Sequence, residues 1–260
     1  MALDFGDLNF STALASALSS RTRGIFSNGN ADSPGAKNSL DFVTIATAGN
    51  ATDFGDLTQG RYNGTGSSNQ TRGIFSGGHN PGLLDTMDFV TITITSNAID
   101  FGNLASNTYG NRSCSNSTRL LNGGGGTPSN INVIQYVTIS STGNSVDFGD
   151  MTTKTSTGQG FSSPTRGISA GGTNPSGGGR QSLIQFITTS TLGNTQEFGD
   201  LIIAAAFTCA NTASNSIRGL ITNNNTASST YENTIQYVTI ATMGDAQDFG
   251  DLIRGSEWCC

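Results

Sequence analysis

Asp53-Phe54-Gly55-Asp56-Leu57 is a pentapeptide that this chain writes six times with small changes. The other copies are Asp4-Phe5-Gly6-Asp7-Leu8, Asp100-Phe101-Gly102-Asn103-Leu104, Asp147-Phe148-Gly149-Asp150-Met151, Glu197-Phe198-Gly199-Asp200-Leu201 and Asp248-Phe249-Gly250-Asp251-Leu252. Successive copies begin 49, 47, 47, 50 and 51 residues apart. A period in that range marks a solenoid, a propeller or an array, and it outweighs any local motif as a guide to fold.

Working outward, each copy is followed by a polar stretch that ends in Thr-Arg-Gly-Ile-Phe-Ser-Gly-Gly or a variant. These occupy residues 22–29, 71–78, 118–125, 165–172 and 217–224, so arginine recurs at Arg23, Arg72, Arg119, Arg166 and Arg218. After a loop of irregular length comes a β-branched, aromatic run, as in Phe42-Val43-Thr44-Ile45 and Tyr136-Val137-Thr138-Ile139. Such runs favour strands. Most are followed by Gly-Asn or Gly-Asp, at Gly49, Gly143, Gly193 and Gly244, which reads as a tight hairpin turn into the next pentapeptide. The segment before each arginine has room for one more strand. The unit becomes four short antiparallel strands, a to d, with the arginine on b, the aromatic run as c and the pentapeptide as d.

Composition agrees and excludes several classes. The chain has 260 residues, 35 of them glycine and only 12% charged, so it is rich in turn formers and poor in helix formers. Its unbroken repeat favours one domain, residues 1–260, with units 4–52, 53–99, 100–146, 147–196 and 197–247 and a terminal strand and tail at 248–260. Net charge is −6 with two lysines, Lys37 and Lys154, so no basic stripe offers itself to nucleic acid. No apolar run approaches the roughly 18 residues of a membrane span, and no signal peptide is expected. The cysteines (Cys114, Cys209, Cys259 and Cys260) lack metal-ligand spacing. Cys114 and Cys209 read as small core residues, and the final pair as an exposed tail.

Four strands per unit of this length is the signature of a propeller blade. A strand ending in Gly-Gly, a variable loop, an aromatic strand, a hairpin and a second aromatic strand resemble the kelch repeat. The resemblance spans the chain. It departs from kelch in having Phe rather than Trp on strand d and in losing Gly-Gly in units 1 and 5. The wording TRGIFSGG…DFVTIATAGNATDFGDL also resembles cyanophage-like repeat proteins on virions of tailed phages of marine bacteria. The expected fold is all-β: a single five-bladed, kelch-like β-propeller with a surplus terminal strand. Five b and c strands meet six d strands, so two accounts stand. One terminal copy closes the ring and the other is spare, or a sixth, incomplete blade is finished by a partner chain.

Asp-Phe-Gly is also a metal-binding motif of kinases, but nothing else of a kinase is present, and six copies call for a shape rather than a catalytic centre. Eleven of the eighteen acids sit in the pentapeptides and five of the ten arginines on strand b. The second acids Asp7, Asp56, Asp150, Asp200 and Asp251 then either cap a turn or form a recurring structural tie with Arg23, Arg72, Arg119, Arg166 and Arg218. The carboxylates of a unit are too few to cage calcium. With His79 as the one histidine, a Ser-His-Asp set would rest entirely on that residue with no nucleophile elbow near it, and the Tyr/His/Cys copper site of propeller oxidases would lack its usual pair of histidines. The expectation is no enzyme, no metal and no cofactor.

Where the repeats disagree, b–c loops and d–a linkers share one face. They place Arg61, Tyr62, His79, Tyr109, Arg112, Arg180 and Tyr231 there, aromatics beside polar groups suited to sugars. Two linkers are apolar. Leu14, Leu18, Ile203 and Phe207, with Phe249 and Leu252 of the last strand, predict an assembly interface. The phage resemblance implies a virion structural protein, as decoration or tail fibre, whose partners are other virion proteins, copies of itself or host surface glycans. A cellular scaffold that binds a protein partner through the same face is the alternative.

Overall fold

The structure, a computed structural model, describes residues 4–31, 35–174, 179–206, 213–222, 225–226 and 233–252. Among them there is no helix. Blade 1 is built from Ala17–Ser19, Arg23–Ser27, Ser39–Thr44 and Thr52–Asp56, hydrogen-bonded in that order. Blade 2 uses Thr65–Ser68, Arg72–Ser76, Thr86–Thr91 and Ile99–Asn103. Blade 3 uses Arg112–Ser115, Arg119–Gly123, Val133–Thr138 and Val146–Asp150. In blade 4 the strands are Gln159–Ser162, Arg166–Ala170, Gly179–Thr188 and Gln196–Ala206. Blade 5 closes the series with Ala213–Ser214, Arg218–Thr222, Thr234–Thr239 and Gln247–Asp251. The protein is a five-bladed, kelch-like β-propeller with one extra copy of the pentapeptide. That extra copy is residues 4–8, ahead of blade 1, because residues 248–251 serve as an ordinary strand d. Of residues 248–260, read from sequence as an extra strand and tail, 248–251 belong to strand d of blade 5 and 253–260 lie outside the described residues.

Every strand d carries the same irregularity. Asp41 faces Asp53 and Leu40 faces Gly55, so Phe54 is the additional residue of a β-bulge. Phe101, Phe148, Phe198 and Phe249 repeat it. The bulge turns the ring against the aromatic of its own strand c, edge to face, with centroids 5.5 to 6.2 Å apart. In four blades it also delivers the ring to the next blade.

The core therefore lies between blades. Leu18, Ile25, Leu40 and Phe54 of blade 1 cluster with Phe75, Val90 and Ile92 of blade 2. The same arrangement joins blade 2 to blade 3, blade 3 to blade 4 and blade 4 to blade 5. The strands a of all five blades line one central channel of about 760 Å³.

One local expectation is corrected. The tight turn between c and d lies earlier than Gly-Asn: Thr47 N–H donates to the Thr44 carbonyl at 3.2 Å, and Ile94, Ser141, Thr191 and Thr242 repeat the bond. Gly49-Asn50 and its counterparts follow that turn and receive a pentapeptide copy, with Gly143, Gly193 and Gly244 at φ between +149° and +155°.

Two paired substitutions test whether the core is interblade. Phe101→Ala should cost about 3–5 kcal/mol in urea unfolding, while Phe249→Ala should cost about 1 kcal/mol or less. Gly149→Ala should likewise cost clearly more than Gly250→Ala. Both residues have positive φ, +146° and +137°, but only Gly149 faces a neighbour.

Candidate functional site

Two kinds of surface could carry function: the loop face, and the faces by which blades recognise one another. On the loop face the d–a linkers and b–c loops do meet, through backbone bridges Tyr62 to His79, Tyr109 to Gly126 and Ser156 to Thr173. Tyr62 Oη and His79 Nδ1 share a hydrogen bond of 2.7 Å, and the rings lie 5.1 Å apart. The Tyr109 ring lies against Gly126, where a Cβ would stand 2.5 Å from its Cε1. Arg180 is half-buried in strand c of blade 4 rather than in a loop. Tyr231 and Phe207 lie outside the described residues, as do Cys209, Cys259 and Cys260.

Arg61 and Arg112 do not belong to this face. Both are buried. Arg61 forms an ion pair with buried Asp88, the one ion pair among the described residues, and donates to the Thr86 carbonyl at 2.8 Å. Burial pulls the Arg61 guanidinium down and pushes the Asp88 carboxyl up from their usual ranges, against the attraction of each for the other. Thr58 Oγ1 donates a further bond to Asp88 at 2.5 Å. Arg112 donates to Ser169 Oγ at 2.6 Å and Thr155 Oγ1 at 2.9 Å, and burial lowers its pKa to about 10. Each joins its own d–a linker or strand a to buried groups around it. A one-off arginine in a polar linker gives no sign in sequence of whether it points out or in.

The blade-to-blade contact is the most repeated geometry in the molecule. Strand d of one blade acts as a plug, and the segment after the c–d turn of the next acts as a seat. Gly193 N–H donates to the Phe148 carbonyl at 2.9 Å, and Thr195 N–H to Asp150 at 2.9 Å. In return Asp150 N–H donates to Asn194 Oδ1 at 2.9 Å. A Cβ on Gly149 would stand 2.2 Å from the Gly193 carbonyl oxygen, so only glycine fits there. The strand-c residue Asp41, Gln135, Gln185 or Gln236 accepts a backbone N–H from just past the neighbouring plug.

The strand-b arginines complete the junction, and this corrects their expected pairing with aspartate. Each stacks on the aromatic of its own strand c, with the guanidinium carbon 4.5 to 4.8 Å from the ring centroid. Arg23, Arg72, Arg119 and Arg166 then donate to main-chain carbonyls at the end of the next strand c, those of Ile92, Ile139, Ser190 and Ala241, at 2.8 to 3.0 Å. The carboxylates of Asp7, Asp56, Asp150, Asp200 and Asp251 are not their partners. It is instead the first acid that acts locally, Asp4, Asp100 and Asp248 accepting the glycine N–H two residues on.

Among the described residues the apolar linker side chains occupy separate places. Leu18 is buried against Gly73 of blade 2, and Leu14 is half-buried with φ +57°. Ile203 lies half-buried in the extended strand d of blade 4, whose Ala205 is fully buried in the junction with blade 5. Phe249 and Leu252 are different. Phe249 is 53% exposed where Phe54, Phe101 and Phe148 are 2% exposed, and Leu252 borders the central channel.

Serines tie the strands a around that channel. Ser68 Oγ donates to the Ser19 carbonyl, Ser115 to Ser68, Ser162 to Ser115 and Ser214 to Ser162, at 2.6, 2.7, 2.6 and 3.3 Å. Cys114 lies on strand a of blade 3 with its Sγ against Gly167 of blade 4, and desolvation pushes its thiol up to about 12. Among the described residues no group of three His, Cys, Asp or Glu could hold a metal ion. No protein-family model and no curated protein matches the chain.

Removing Arg61 should act on stability. Arg61→Ala leaves Asp88 buried without its counter-charge and should cost about 3–5 kcal/mol in urea unfolding. Tyr62→Ala, at the half-exposed pair, should cost far less. Cys114 predicts a pH effect. Its pKa in the folded chain lies above the ordinary value of 9.0. The neutral thiol therefore contributes stability that is present below pH 9.0 and is lost as the pH climbs toward about 12. The urea midpoint of the wild type should fall more steeply above pH 9.0 than that of Cys114→Ala.

Proposed function

We propose that this chain is a non-enzymatic structural protein of a tailed-phage particle, as decoration or as part of a tail fibre. Its localisation would be the virion, and its partners other virion proteins and host surface glycans. The observation that carries the structural role is the outer face of blade 5. It presents Phe249, Gly250 and Arg218 in the arrangement that joins blades elsewhere, with no blade against it among the described residues. A face of that chemistry fits a second protein surface. The phage setting is supported by the wording of the repeats, and glycan binding by Tyr62, His79 and Tyr109, grouped where linkers and loops meet.

Density-gradient fractions of a lysate from the source culture test the first part. Peptides of this chain should follow the particle band in mass spectrometry. Recovery only in the soluble protein fractions would overturn the virion assignment. For the loop face, Tyr62→Ala with His79→Ala should weaken adsorption to host-surface polysaccharide by about tenfold, the scale of one lost stacking contact with its hydrogen bond.

A further inference from the structure

The propeller contains six plugs and five seats. Residues 53–57, 100–104, 147–151 and 197–201 occupy the seats of blades 2 to 5. The seat of blade 1, at Gly49-Asn50, is filled by residues 4–8. Gly49 N–H donates to the Phe5 carbonyl at 2.7 Å, Ala51 N–H to Asp7 at 2.8 Å, and Asp7 N–H to Asn50 Oδ1 at 3.1 Å. Asn9 then bonds Asp41 through its side chain at 2.8 Å. Residues 248–252 have no seat among the described residues, and nothing lies within 4 Å of a Cβ placed on Gly250.

Five separate deficits coincide at this one seam. Phe5 is seated on blade 1, yet it lacks the strand-c aromatic that every other plug phenylalanine has, and is 41% exposed. Ile45 of blade 1 is 45% exposed, while its equivalents Ile92, Ile139 and Ile240 are at most 1% exposed. Arg218 stacks on Tyr237 but its guanidinium reaches no carbonyl among the described residues. Phe249 is 53% exposed, with no following blade among the described residues. The serine ladder stops at Ser19 on one side and Ser214 on the other. Direct closure of blade 5 onto blade 1 would require residues 248–252 to enter a seat that residues 4–8 already fill.

We infer that residues 4–8 are strand d of a sixth blade, and that its strands a, b and c come from a polypeptide segment outside residues 1–260. Resting on the reading of this chain as an assembly component, this names the partner surface: a three-stranded antiparallel unit. Its strand a carries a serine to extend the ladder, and its strand b an arginine that reaches the Ile45 carbonyl. Its strand c carries an aromatic that covers Phe5, followed by a Gly-Asn seat for residues 248–252. A second copy of these 260 residues cannot serve. Each copy brings six plugs and five seats, so two copies still leave two plugs unmatched.

Hydrogen exchange on the full chain gives the first readout. Amides of residues 249–251 should exchange at least about tenfold faster than those of residues 198–200, which sit in a made junction. A chain in which residues 105–146, strands a to c of blade 3 with their seat, are fused directly ahead of Asp4 then supplies the missing unit. In that fusion residues 249–251 should slow to the rate of residues 198–200 and the melting temperature should rise. Replacing Gly143 of the graft by proline removes the donor to the Phe249 carbonyl and should abolish the protection. Protection of residues 249–251 in the unfused chain would mean that the seam is closed within the chain, overturning the inference. So would a graft that folds without protecting them, or one that does not fold against the seam at all. These readouts use purified protein alone, so they fail or succeed independently of whether the chain is found in particles.

Discussion

The architecture depends on one close approach, a glycine backbone passing beneath the carbonyl of the neighbouring blade. At Gly6, Gly55, Gly102, Gly149 and Gly199 a Cβ would stand between 2.2 and 2.5 Å from a main-chain oxygen or carbon, with φ between +135° and +158°. No other residue combines that conformation with that clearance. Because the glycine is there, the aspartate that follows can donate its N–H to the seat while the phenylalanine before it offers a carbonyl. The same local bulge rotates the phenylalanine ring into the space between blades. One backbone feature thus sets hydrogen bonding, packing and blade spacing together.

Stability is divided accordingly. A four-stranded blade of this kind buries little by itself, since its apolar side chains point at its neighbours. Each junction adds an arginine that is held flat by an aromatic of its own blade and spends its donors on carbonyls of the next. A guanidinium kept half-covered over a ring retains a cation–π contact worth about 0.5–1 kcal/mol and loses little freedom on bonding. Repetition of such junctions is nearest-neighbour stability. Its corollary is that an end of the array, or an unmade seam, exposes the chemistry that stabilises everything else.

That corollary links structure to role. Among the described residues the loop face offers one tyrosine–histidine pair and one tyrosine, a modest set for ligand recognition, after Arg61 and Arg112 prove to be internal. The seam offers apolar rings and an arginine that reaches no carbonyl among the described residues, in a geometry that the chain itself repeats four times. Physical chemistry gives the seam the larger store of unsatisfied contact, and association through it the greater gain.

The amino-acid sequence by itself determined the repeat, the strand types, the blade count and the structural character of the glycine and phenylalanine. These follow from periodicity, from β-branched and aromatic patterning, and from the one residue able to take positive φ without a side chain. Tertiary structure decided the partners. Arginine and aspartate at matched positions in every unit looked like ion pairs, yet the folded register sets each arginine over a ring and against the next blade's carbonyls. Arg61 and Tyr62 are adjacent in the chain, but one enters the core to meet Asp88 and the other stays at the rim. Which copy of the pentapeptide is extra was equally hidden, because the copies are alike in sequence and differ only in what stands next to them. Local sequence encodes the shape of an edge, and only the arrangement of blades in space settles which edge finds a neighbour.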